Sequence, residues 1–127
     1  MYKASILFCA VIIICSCETE TFVNYEIDNL STNDINVKGS NIIYSTEIKQ
    51  TIKSKEISEI ASWSKLGKQT NYFEPTSMFG NDLVITNALG DTTIIDYRLL
   101  SNWNSDRDIN RFVAIHRYVL EIQDSDF

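Results

Sequence analysis

From Val23 to Asp28 the chain alternates strictly: Val23, Tyr25 and Ile27 are apolar, while Asn24, Glu26 and Asp28 are polar. A period of two belongs to an extended strand, whose successive side chains point to opposite faces. This segment therefore forms a strand with one dry and one wet face. The pattern recurs along the chain. After a turn-rich stretch at 29–33, Ile35 and Val37 alternate with Asp34, Asn36 and Lys38, and Gly39-Ser40-Asn41 reads as a break before a strand over 42–48. Positions 83–86 and 92–100 flank the loop Asn87-Ala88-Leu89-Gly90-Asp91, in which Gly90 supplies a positive φ, giving the clearest hairpin in the chain. In its second arm Asp96 and Arg98 share the wet face, leaving Ile95, Tyr97 and Leu99 inward. A last strand over 117–123 directs Tyr118, Leu120 and Ile122 to the core.

The middle of the chain is mixed. Ile57, Ile60 and Ala61 recur at helical spacing, but strands on both sides favour a strand over 57–63, and 106–112 reads as a short helical turn. Short strands with frequent turn signals predict an all-β domain, a two-sheet sandwich that is immunoglobulin-like in outline, with a small closed β-barrel as the alternative.

The N-terminus has a different character. Lys3 precedes an unbroken apolar run at 6–14. That run is too short to cross a bilayer as a helix, which takes about 20 residues, but it fits the apolar region of a secretory signal. Ile14-Cys15-Ser16-Cys17 resembles the lipobox of bacterial lipoproteins: an aliphatic residue at −3, a small one at −1, then the acylated cysteine. The resemblance implies a lipoprotein signal peptide at 1–16, palmitate-type acylation of Cys17, a short tether over 17–22 and a folded domain at 23–127. Two or more acyl chains hold a protein stably where one is marginal.

Cys9, Cys15 and Cys17 are the only cysteines, so a domain starting after Cys17 has neither disulfides nor a thiolate metal site and depends on its core. Of 11 basic residues Lys3 leaves with the signal, and against 17 acidic residues the net charge becomes −7 rather than −6. Such a domain lacks the basic stripe that nucleic acid requires, and charge alone will not lay it on an anionic membrane. Cys17-Glu18-Thr19-Glu20, Tyr25-Glu26-Ile27-Asp28-Asn29, Val84-Ile85-Thr86-Asn87, Trp103 and Tyr118-Val119-Leu120-Glu121-Ile122 together resemble the small envelope lipoproteins of the Bacteroidetes group. The resemblance implies a cell-envelope lipoprotein at the outer membrane, facing the periplasm or the surface. It brings no activity with it.

Candidate sites are few. His116 is the sole histidine and lies on the parity of Phe112, Ala114, Tyr118 and Leu120, with no nucleophile motif nearby, which makes it structural or a rim residue. Asn102, Asn104, Asp106, Asp108 and Asn110 put an oxygen at every second residue, as calcium loops do. Ile109 and Ile115, however, stand where such a loop needs Gly and Glu, so turn chemistry is the better reading. Glu56/Glu59 and Asp124/Asp126 read as solvated carboxylates. Lys49, Lys53, Lys55, Lys65 and Lys68 read as an edge guarded against strand pairing. Trp63, Tyr72, Phe73, Phe79 and Trp103 are the aromatics best suited to recognise a partner, three of them in a long loop at 71–81, with core packing the alternative for most of them.

The expected function is that of a non-enzymatic, lipid-anchored envelope protein, an accessory or binding subunit of an outer-membrane protein complex. It is expected to need no catalytic residue, metal or small-molecule cofactor, and to bind membrane and protein rather than nucleic acid. The alternatives are an immunity or inhibitor lipoprotein against a toxin, and a surface glycan-binding module.

Overall fold

The computed structural model describes residues 18–67 and 74–127, so the signal expected at 1–16, Cys17, Lys68, Tyr72 and Phe73 lie outside the described residues. Seven strands are formed among the described residues: β1 (Glu20–Asn29), β2 (Ile35–Asn41), β3 (Thr46–Ile52), β4 (Ile57–Leu66), β5 (Val84–Thr86), β6 (Trp103–Ile109) and β7 (Val113–Ile122). A single helical turn, α1 (Pro75–Phe79), lies within the stretch expected as a long loop. No helix among the described residues is long and apolar enough to cross a membrane.

The strands make two sheets, one ordered β4-β1-β7-β6 and one ordered β3-β2-β5, not closed into a barrel. The expected outline of two sheets over one core holds. The connectivity differs from that of immunoglobulin domains, because β1 and β7 are parallel neighbours at the centre of the larger sheet, paired from Glu20↔Val113 to Asn29↔Ile122. Their alternation is near complete. Val23, Tyr25 and Ile27 of β1 and Tyr118, Leu120 and Ile122 of β7 face the core, where Ile35, Val37, Ile48, Ile52 and Ile85 of the smaller sheet and Leu83 just before β5 meet them.

Aromatic rings fill the middle. Tyr25 stacks on Tyr118 at 5.6 Å and meets Phe79 and Trp103 edge-on at 5.3 and 5.8 Å. Such geometries suit the ring quadrupole. The polar tips are satisfied without leaving the core: the Trp103 indole donates to the Tyr97 carbonyl at 2.6 Å, and the Tyr97 hydroxyl donates to the Gly80 carbonyl at 2.6 Å.

A polar clamp closes the end of the sandwich at which β1 finishes. Asn29 is fully buried, and its amide donates to the carbonyls of Asn33 and Ile52 at 2.9 and 3.0 Å. Its carbonyl oxygen accepts from the Ser31 amide and hydroxyl. Ile52 ends β3, so one side chain ties the larger sheet to the smaller with every group paired, as a buried amide requires.

Several expectations are corrected. Gly39-Ser40-Asn41 does not break the chain: it is the last part of β2, and the reversal falls at 42–45, inside the span expected as a strand. Gly39 suits its place because the chain entering β5 passes so close that a Cβ there would lie 3.1 Å from Leu83 Cα. The hairpin after residue 83 barely forms. Thr86 bridges Thr92 and the Thr93 amide reaches the Ile85 carbonyl, but the Ile94 amide then turns away to Asp126. Gly90 has φ 90°, as expected, and Asp96 and Arg98 form an exposed ion pair, but Leu99 is exposed rather than inward. The helical turn expected at 106–112 is instead strand β6 and its turn into β7, since β7 offers seven residues an edge to pair with. The helix-like spacing of Ile57, Ile60 and Ala61 marks a β-bulge. Opposite Tyr25 and Glu26 stand Ala61 and Glu59, leaving Ile60 as the extra residue, so adjacent Ile60 and Ala61 are both buried while Ile57 is exposed. Strand β1 begins at Glu20, so the part of the tether expected at 20–22 is already sheet.

Candidate functional site

The aromatic recognition set is the first to be placed. Phe79 and Trp103 are buried in the core described above, and Trp63 is half-buried and packs against it. Phe79 and Trp103 hold the sandwich together and offer no ring to a partner. The sequence signal, aromatics beside a Pro/Gly-containing segment, is the same for a loop and for the short α1, which Pro75 starts.

His116 lies on the inner face of β7, in register with Val23 of β1 and Arg107 of β6, and is 1% exposed. Burial holds the imidazole below its ordinary pKa of 6.5, and the nearby Arg107 guanidinium pushes the same way, so the ring is neutral at pH 7. The Thr21 hydroxyl, on the same inner face of β1, is committed to the Gly67 carbonyl at 2.6 Å. The arrangement is that of a core histidine. Tyr25, deeper in the same face, has its phenol pushed up to about 12, mainly by burial, and stays protonated.

Of the oxygen-bearing side chains expected in a turn at 102–110, Asn104, Asp106 and Asp108 sit on β6, an edge strand, and Asn102 and Asn110 flank it. In register they are distributed rather than convergent. Asn104 donates to Glu121 at 2.8 Å, Asn110 accepts from the amides of Phe112 and Val113, and Asp106 stands opposite Arg117. No group of three or more His, Cys, Asp or Glu side chains suited to a metal occurs among the described residues. Asp124 accepts from the Thr32 amide and hydroxyl, and Asp126 from the Gln123 amide, so these tail carboxylates cap backbone. Lys49 on β3 and Lys65 on β4 are on edge strands, as anticipated for guarded edges.

What the surface does present is apolar turns. Ile42, Ile43 and Tyr44 are 50%, 49% and 52% exposed on the reversal between β2 and β3. That reversal is held from both sides: the Ile42 amide donates to the Met78 carbonyl at 2.8 Å, the Tyr44 amide to the Asn41 side chain at 3.2 Å, and Ser45 takes φ 52°. The three side chains are thus presented by a fixed backbone. Sequence reasoning missed this site by extending a strand through it; the available signal was three consecutive large apolar residues, which an alternating strand does not carry. A shallow groove of about 290 Å³ lies beside β5, where the chain at 92–98 departs from the ladder, lined by Leu83, Ile85, Thr93, Ile95 and Tyr97.

Comparison with protein-family models, with curated proteins and with solved structures yields no match to this chain.

Proposed function

We propose that the protein is a non-enzymatic, lipid-anchored envelope lipoprotein, acylated at Cys17, that works as a binding or accessory subunit of an outer-membrane complex. The observation that carries the binding part is the fixed Ile42-Ile43-Tyr44 turn. Three adjacent large apolar side chains, each about half exposed on an ordered reversal, are costly in water and gain on being covered. Position 17 lies only three residues before β1, which supports a domain held against its membrane. The test is pull-down of the tagged full chain from native membranes in mild detergent. Wild type is expected to bring down a defined protein in fixed ratio, and Tyr44→Asp to lose it while keeping the same unfolding midpoint. Recovery of the wild-type chain alone would overturn the reading.

A further inference from the structure

We propose that the end of the larger sheet at which β1 begins sits inside the headgroup layer of the membrane, with Leu66, Ile109 and Phe112 as the side chains that enter it. This rests on the lipid-anchor reading above. Four strand termini meet at that end: β4 finishes at Leu66, opposite Glu20; β7 starts at Val113, also opposite Glu20; and β6 finishes at Ile109, opposite Ala114. Leu66, Ile109 and Phe112 are 65%, 56% and 54% exposed there.

The chain before β1 is fastened to the same end. The Gly67 amide donates to the Thr19 carbonyl at 2.6 Å, the Glu20 amide to the Phe112 carbonyl at 3.0 Å, and the Thr19 hydroxyl to the Arg111 carbonyl at 3.4 Å. Thr19 is therefore part of the folded body, and only two residue steps separate it from position 17, about 7 Å at full extension. With acyl chains in the hydrocarbon, position 17 is at the inner margin of the headgroup layer, and that layer is itself about 5–8 Å deep. A tether comparable in length to the depth of the layer keeps the strand ends at it even when fully extended.

The side chains suit the location. Phe112 has the Arg111 guanidinium 5.5 Å above its ring, an apolar body with a cationic cover, as residues at a membrane interface commonly have. Lys65, Arg107 and Arg111 are exposed here, but Glu18, Glu20 and Asp108 accompany them, so apolar contact rather than net charge carries the association.

The test uses the full chain, purified from membranes and reconstituted into phosphatidylcholine vesicles with and without brominated acyl chains, which quench tryptophan at short range. Phe112→Trp and Ile109→Trp each add an emitter at the proposed contact. Leu89→Trp adds one on the loop after β5, at the Asn29 end of the sandwich. The added emission at 112 and 109 is expected to be blue-shifted and largely lost in brominated vesicles, and that at 89 to be unaffected. Flotation with the vesicles is read first. A chain that does not float overturns the anchor reading and this inference together. A chain that floats with unquenched emission at both 112 and 109, blue-shifted or not, overturns this inference alone.

Discussion

His116 shows how a residue with catalytic potential becomes a stability element. Its register partners are Val23 and Arg107, and burial with that neighbouring charge keeps its folded pKa below the ordinary 6.5. A lowered histidine pKa means the unfolded chain binds the proton more readily. The stabilising contribution is therefore complete above the unfolded pKa and is lost as pH falls through it toward the folded value. The melting temperature is expected to drop as pH is lowered from about 7 to about 5, and His116→Leu, which keeps similar volume without a titrating group, to remove part of that drop. An equal slope in both proteins would show that carboxylates alone set the acid limb. Asn29 teaches a related lesson. Its type and neighbours read as a turn, but the fold buries it and uses its amide and carbonyl to join two sheets.

At the scale of elements, strand pairing overrules local signals. The segment at 106–112 carries turn-type residues, but β7 exposes an edge whose hydrogen bonds are available only in three dimensions, and the segment becomes β6. The reverse happens after β5, where good hairpin chemistry at Asn87 and Gly90 is abandoned because the Ile94 amide pairs with Asp126. Gly39 marks a close approach between β2 and the chain entering β5, with Leu83 Cα 3.1 Å and the Asp82 carbonyl 3.2 Å from a Cβ built there. Gly39→Val sets strand propensity against crowding. The propensity scale spans about 1 kcal/mol, whereas overpacking costs about 1–3 kcal/mol, so crowding wins. The urea midpoint is expected to fall, with β2–β5 amides losing hydrogen-exchange protection first; an unchanged midpoint would mean that β5 moves aside freely.

For the molecule as a whole, the contact role proposed above draws on which side chains the fold leaves outside. Tyr25, Phe79, Trp103, Tyr118 and the histidine are drawn inward, Asp124 and Asp126 cap backbone, Glu26 and Asp96 pair with arginine, and large apolar side chains remain on turns and strand ends. Glu26 and Arg117 show the pattern: a two-pronged pair, with Arg117 donating to both carboxylate oxygens at 3.0 and 2.5 Å, ties β1 to β7 on the wet face. At this scale the address is the proposal to test first. In cells fed an alkyne palmitate analogue, the wild-type chain is expected to take up label and to sediment with membranes. Cys17→Ala is expected to do neither, and label retained by that variant would exclude Cys17 as the acceptor.

The sequence by itself determined the class of fold and the inner face of the central strands, because a period of two can bury only one parity and Val23, Tyr25, Ile27, Tyr118, Leu120 and Ile122 share it. It also located the Gly90 turn, whose positive φ few other residues take. Only the tertiary structure decided where strands begin and end, which sheet each joins, that Ile60 is a bulge, that Phe79 and Trp103 are core, and that Ile42-Ile43-Tyr44 is surface. These depend on which edges and faces meet across tens of residues. A hydrogen bond from Glu20 to Phe112, or a ring contact from Tyr25 to Trp103, joins positions whose local sequences carry no information about one another.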